Sequence, residues 1–270
     1  MINEEKLFDK YLHLLEIKKS PPTFSLLRKI VKAHLIKVPF ENISKLLYKK
    51  QGMNHIPGLG LFLEGIEKYN FGGTCYTNNS YLFSLLKHLG FNIRLCGADM
   101  KNPDVHLISM VSIDNREYII DGGYAAPFFE PLPRDLDYDF IISYGYEKYI
   151  VKPKDEMGRT TVQQYYKNDL QHWYTAKPEE RKIDDFRNVI ENSYADDAVF
   201  MNAIRITKFS ENGSLALRNL QITEIIGSII SVSEIPLEIM PNVIQDKFGM
   251  PAGKVREAVL RIKKLRDIFD

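Results

Sequence analysis

Apolar residues in the first fifty positions fall three and four apart. Leu7, Tyr11, Leu14 and Leu15 form one stripe and Leu26, Leu27, Ile30 and Leu35 a second, the spacing of amphipathic helices with one buried face. Ser20-Pro21-Pro22-Thr23 separates them, with Thr23 placed to cap the second helix. Val38-Pro39-Phe40-Glu41-Asn42 breaks the period, because Pro39 biases Val38 towards extended backbone. After a glycine-rich stretch at 51–65, Leu82, Leu85, Leu86 and Leu89 resume helical spacing until Gly90.

Beyond Gly90 the pattern changes to short runs of Ile, Val, Leu and Tyr. Residues 92–97, 106–113 and 117–121 read as strands, the last two joined by Asp114-Asn115 as a two-residue hairpin turn. Further strands are expected at 144–151, 202–209, 215–217 and 221–224, with Asn212-Gly213 as a turn between two of them. From residue 234 onward Ile244, Phe248, Val255, Val259, Ile262 and Leu265 return to helical spacing. The expected class is α+β, divided as an N-terminal helical part (1–91), a β part (92–197) and a smaller α/β end (198–270).

Composition narrows the function. Hydrophobic residues at 44% and charged residues at 26% fit a folded globular chain. Thirty-six basic residues against 35 acidic ones give a net charge of +1, no electrostatic footprint for nucleic acid. Cys75 and Cys96 are too few for a disulfide framework or a four-ligand zinc site. No apolar run of signal-peptide or membrane-spanning length occurs, so the expected setting is cytoplasmic, with no metal.

Chemistry enters at Phe71-Gly72-Gly73-Thr74-Cys75. Cys75 is expected in the first turn of a helix, where orphan backbone N–H groups and the helix dipole favour a thiolate. If Asp114-Asn115 is the turn, Ile113 faces Arg116 and Asp121 falls opposite Ile108. With side chains alternating along a strand, His106 and Asp121 then share one face as a diagonal pair. Taken singly, Cys75 also reads as a buried small residue, His106 as a strand-end imidazole and Asp121 as a turn residue before Gly122-Gly123. Together they form a candidate thiol triad: nucleophile, base, and a carboxylate that orients the base.

These residues resemble the arylamine N-acetyltransferases. The likeness rests on Gly72-Gly73-Thr74-Cys75 with Asn79, Val105-His106-Leu107, Ile120-Asp121-Gly122-Gly123-Tyr124, and Val38-Pro39-Phe40-Glu41-Asn42 upstream. Pro131-Leu132, Asp185-Phe186 and Asn192-Ser193-Tyr194 extend it over nearly the whole chain. The resemblance implies a helical bundle, an antiparallel β-barrel and an α/β lid around a thiol-protease-like Cys-His-Asp core. It implies ping-pong acetyl transfer from acetyl-CoA through acetyl-Cys75 to an arylamine, arylhydrazine or hydroxylamine, in xenobiotic metabolism. Phe40 and Tyr124 would line the slot for the aromatic ring, and Gly122 and Gly123 would let CoA approach the backbone.

The chain departs from the family pattern at Phe71, where Arg is usual, at Thr77, where Glu or Gln is usual, and at Gly122, where Val is common. Without that Arg, Glu41 is expected to lack its usual partner. Other readings of the same triad order are a thiol hydrolase, an amide synthase for larger acyl groups, and a degenerate acyl-CoA-binding protein. Pro39-Phe40-Glu41-Asn42 and Tyr124 argue against the hydrolase.

Overall fold

In the computed structural model, which describes residues 4–262 and 265–266, helices and antiparallel sheets meet around the Cys75 segment. The N-terminal helices are α1 (Glu4–Leu14) and α2 (Phe24–Lys37). Thr23 caps α2 as its sequence position suggests, its Oγ1 accepting from the Leu26 amide at 3.2 Å. The two-residue strand β1 (Phe40–Glu41) leads to α3 (Ile43–Lys50), α4 (Leu59–Tyr69) and α5 (Cys75–His88). The apolar faces of α1, α2, α4 and α5 form one core, with Tyr11, Leu27 and Ile30 packed among Phe62, Leu63, Leu82, Leu85 and Leu86.

The middle of the chain supplies β2 (Ile93–Asp99), β3 (His106–Ile113), β4 (Arg116–Ile120), β5 (Leu132–Pro133), β6 (Phe140–Tyr144), β7 (Glu147–Val151), β8 (Thr160–Tyr166) and β9 (Asp169–Arg181). They join in the antiparallel order β5-β4-β3-β2-β9-β8-β7-β6 and curl into a nearly closed barrel. Buried side chains from seven of these strands share one interior, including Ile108, Met110, Ile119, Tyr149, Val162 and Tyr174. A 3-10 turn (Ile183–Phe186), α6 (Arg187–Asn192) and α7 (Val199–Asn202) follow.

The last strands are β10 (Arg205–Ser210), β11 (Gly213–Arg218), β12 (Gln221–Ile226) and β13 (Ile229–Glu234), and α8 (Met240–Phe248) and α9 (Ala252–Val259) close the described chain. β1 completes this second sheet, pairing Phe40 with Thr207 and Glu41 with Ile206. A separate core cluster forms between α3 and the C-terminal elements, where Ile43, Leu47 and Phe71 meet Ile206, Met240, Ile244 and Val255. The β1 segment therefore ties the helical part to the C-terminal sheet.

Several local expectations shift: the strand expected at 144–151 breaks at the Gly145-Tyr146 turn between β6 and β7, and the one expected from 202 begins at Arg205. The β10–β11 turn is Glu211-Asn212, one residue earlier than Asn212-Gly213, because Ser210 pairs with Gly213. A side chain at Gly213 would strike the Ile225 carbonyl of the next strand, so the glycine serves sheet pairing. Helix α9 ends at Val259, with Leu260 in a turn, so the helical spacing carried to Leu265 exceeds the helix. Among the described residues no helix is long and apolar enough to cross a membrane.

Candidate active site

Cys75 opens α5, with Thr74 as its N-cap residue. The loop before it lies directly on the β1 segment. Glu41 N–H donates to the Gly73 carbonyl at 3.1 Å, and a Cβ on Gly72 would stand 2.0 Å from the Pro39 carbonyl oxygen. Any side chain at 72 would push the Cys75 loop off its support. The buried Glu41 carboxyl group holds the same loop, accepting from Gly72 N–H at 3.1 Å, Ser44 N–H at 2.9 Å and the Ser44 hydroxyl. Glu41 thus has partners despite Phe71 replacing the expected Arg, and Phe71 packs in the adjoining core. Burial raises the Glu41 pKa above its ordinary 4.5, against the lowering effect of those hydrogen bonds.

The hairpin has the register that its turn predicts. Asp114 and Asn115 both adopt positive φ, at 51° and 58°, and Ile113 pairs with Arg116. His106 at the start of β3 and Asp121 just past β4 consequently meet, with His106 Nε2 2.8 Å from Asp121 Oδ2. Both are buried. The other Asp121 oxygen, Oδ1, accepts from Asn79 Nδ2 at 2.8 Å and from Gly123 N–H at 3.0 Å. Asn79 also accepts from Gly122 N–H at 2.8 Å and donates to the Leu107 carbonyl, so one α5 side chain fixes both ends of the His–Asp hairpin.

The Cys75 sulfur is the second hydrogen-bonding partner of the His106 imidazole. With Nε2 turned to Asp121, Nδ1 is the nitrogen left for the thiol. Burial by itself pulls the imidazole pKa down. The Asp121 carboxylate and the Cys75 sulfur outweigh it and push the value up to about 10, so the ring is an imidazolium at neutral pH. Gly123 lets this assembly close: a Cβ there would lie 2.6 Å from the Cys75 Cα. Gly122 faces elsewhere, its missing side chain replaced by the His34 ring, with a would-be contact of 2.7 Å. Cys75, His106 and Asp121 are brought together as the sequence suggests, and of the two glycines only Gly123 borders the adjoining cavity.

That cavity, about 350 Å³, is bounded by Cys75 and His106 and by the aromatic rings of Phe40, Tyr124 and Phe200. Phe40 and Phe200 meet edge to face, with centroids 5.7 Å apart. Tyr124 is held by a 2.6 Å hydrogen bond between its hydroxyl and His172 Nδ1. Burial lowers the His172 pKa, and the charge of His106 lowers it further.

Lys45, His172, Phe200 and Arg205 line the site without having been singled out in the sequence. Each comes from an element whose own pattern signals only a solvated or paired surface, and no local spacing marks them. Cys96 is buried inside the barrel, and burial pushes its thiol pKa up to about 12, whereas Cys75 is half-buried at the cavity. Iodoacetamide at neutral pH is expected to label Cys75 and spare Cys96, as peptide mapping by mass spectrometry would show. Labelling mainly at Cys96 would contradict Cys75 as the more accessible and reactive thiol.

A family model described as N-acetyltransferase matches residues 23–255. Among characterised proteins, the chain is 30% identical over 123 residues to the arylamine N-acetyltransferase, pineal gland isozyme NAT-3, of Gallus gallus, covering 43% of this chain and 41% of that one. It is 27% identical over 146 residues to the N-malonyltransferase FDB2 of Fusarium pseudograminearum, covering 48% and 40%. The matches thus span about four-tenths of the length of these relatives. The fold is similar to that of the arylamine N-acetyltransferase from Mycobacterium abscessus, with a TM-score of 0.79 and 15% identity over 94% of each chain.

Proposed function

The chain belongs to the arylamine N-acetyltransferase family, and from that premise we propose that it moves an acetyl group from acetyl-CoA to an arylamine, arylhydrazine or hydroxylamine by way of a thioester on Cys75. The observation that carries this reading is His106, hydrogen-bonded to Asp121 at 2.8 Å and to the Cys75 sulfur beside an aromatic-walled cavity.

A thiolate–imidazolium pair is the resting state of this mechanism. The Cys75 thiolate attacks the thioester carbonyl, and the developing oxyanion lies near the first-turn amides of α5 that an α-helix leaves without intrahelical partners. The bond from the carbonyl carbon to the CoA sulfur breaks, and the departing sulfur takes the proton of the His106 imidazolium. Acetyl-Cys75 and a neutral imidazole remain. The amine nitrogen then attacks the acetyl-Cys75 carbonyl, loses its proton to His106 and expels the Cys75 thiolate, restoring the pair. Asp121 accepts from the ring throughout and keeps it oriented.

Phe40 and Tyr124 flank the acceptor ring in this reading, with Phe200 as a third wall. Gly123, beside Cys75, gives the pantetheine end of CoA room to approach, while Gly122 serves the packing on His34. The reading places the enzyme in the cytoplasm, among foreign aromatic amines, calls on no metal, and keeps the three-part division at 1–91, 92–197 and 198–270.

Incubation with acetyl-CoA is expected to add one acetyl group to the intact protein, seen by mass spectrometry and lost on addition of an aromatic amine. Cys75→Ala is expected to give no adduct. Failure of the unmutated chain to acylate would overturn the transferase reading.

A further inference from the structure

The cavity wall beside Cys75 is positively charged. Lys45, His106 and Arg205 all border it, and none of the lining side chains is Asp or Glu. His106 is matched from behind by Asp121, and Arg205 lies in the field of Glu147. Lys45 differs: its residue is 5% exposed, yet among the described residues no carboxylate reaches ion-pair distance of its ammonium. Nζ donates to the Ser193 hydroxyl at 2.6 Å, and that hydroxyl donates in turn to the Ile190 carbonyl at 2.6 Å. The face of Tyr194 lies 4.4 Å from Nζ and that of Tyr76 6.0 Å.

An ammonium has three donors, and one hydroxyl satisfies one of them. Aromatic faces ease the burial of a cation without replacing a counter-charge. The cation is not a residue of the hydrophobic packing either, since it stands at the cavity wall. Burial draws the Lys45 pKa down to about 8, opposed by the charge of Cys75, so the group remains protonated at neutral pH. The Cys75 thiolate is the negative group whose field reaches Lys45, and acylation removes that charge, so an anionic group entering the cavity would find the unused donors and, in the acyl-enzyme, a cation without its counter-charge.

We propose that Lys45 determines specificity at this site by pairing with a carboxylate carried by a reactant, either on the acyl group of the donor or on the ring of the acceptor amine. The proposal rests on the transferase reading and assigns a substrate class to the same cavity. A neutral acetyl group and an unsubstituted aniline leave the Lys45 donors unused. A dicarboxylic acyl group or an aminobenzoate uses them through a charge-assisted hydrogen bond.

The test uses the full chain, Lys45→Met and Lys45→Arg in two paired comparisons of kcat/KM. One sets malonyl-CoA against acetyl-CoA with aniline as acceptor; the other sets 4-aminobenzoate against aniline with acetyl-CoA as donor. In one arm the unmutated protein is expected to favour the carboxylated reactant, and Lys45→Met to lower that ratio by about 10- to 100-fold. Lys45→Arg, which keeps the charge, is expected to retain more of the ratio than Lys45→Met.

Each ratio is internal to one variant, so a partly unfolded preparation does not alter it. Loss in the donor arm places the carboxylate on the acyl group; loss in the acceptor arm places it on the ring. Absence of any preference in the unmutated protein, or ratios unchanged in Lys45→Met in both arms, overturns the proposal. Slower Cys75 alkylation alongside unchanged ratios would assign Lys45 to the thiolate alone, and also overturns it. Mass spectra of the same samples separate the two failures: no acyl adduct from either donor sinks the transferase reading, while an adduct with unmoved ratios sinks only the specificity of Lys45.

Discussion

Asp121→Asn is expected to lower kcat by about 10³- to 10⁴-fold while leaving a folded protein. The geometry dictates a loss through the tautomer. Asp121 Oδ2 accepts from His106 Nε2, and Oδ1 accepts from Asn79 and Gly123. An Asn carbonyl can take over the Oδ1 contacts, which turns its NH₂ towards His106. Nε2 must then accept, the ring proton moves to Nδ1, and the nitrogen facing Cys75 becomes a donor unable to take a proton from the incoming amine.

The same substitution removes the charge that holds the imidazolium, leaving burial to drive the ring neutral. A linked effect on stability follows. Because the His106 pKa is raised in the folded state, its contribution is complete below the ordinary value of 6.5 and is lost as pH rises through about 10. The stability gap between the unmutated protein and Asp121→Asn should therefore narrow over that interval. Steady-state kinetics with acetyl-CoA and an aniline, together with urea unfolding across the pH range, check both parts. A kcat within tenfold of the parent would remove Asp121 from the catalytic set.

The triad was legible because each member sits where local rules are strong. A two-residue turn with both φ values positive fixes hairpin register, and register alone decides that His106 and Asp121 share a face. Helical spacing after Cys75 likewise places the sulfur at a helix start. The last two barrel strands in the chain were not legible. β8, with Thr160, Gln163 and Gln164, and β9, with Gln171, Pro178 and two glutamates near its end, lack a clean alternation of apolar and polar residues. Pro178 lies where the pairing of β2 with β9 shifts register, a place that tolerates its missing N–H. Lys45, His172 and Arg205 were hidden for a different reason. They reach the cavity from α3, β9 and β10, and their convergence exists only after the two sheets and the helices have docked.

The absent arginine partner of Glu41 makes that residue the other position with a large expected effect, this time on stability. Glu41→Ala is expected to destabilise the fold by about 3 kcal/mol, measured as a loss in urea unfolding, and to reduce activity as well. Three donors converge on the carboxyl group: two buried amides, from Ser44 and Gly72, and the Ser44 hydroxyl. Truncation leaves all of them without their acceptor, and each unsatisfied buried group costs about 1–3 kcal/mol, with less than full additivity among neighbours.

Gly72 stands three residues before Cys75, so release of its amide loosens the loop that presents the nucleophile. Glu41→Gln should fall between the parent and Glu41→Ala, since its single oxygen can keep only one side of the cluster. The pH dependence identifies the carboxyl itself. Burial raises the Glu41 pKa in the folded state, so its contribution is complete below about 4.5 and declines as pH rises through the higher folded value. The advantage of the parent over Glu41→Gln should accordingly be greatest in acid and shrink towards neutrality. An advantage that grows with pH would mean that the buried group is held as a carboxylate, with the loop donors outweighing burial.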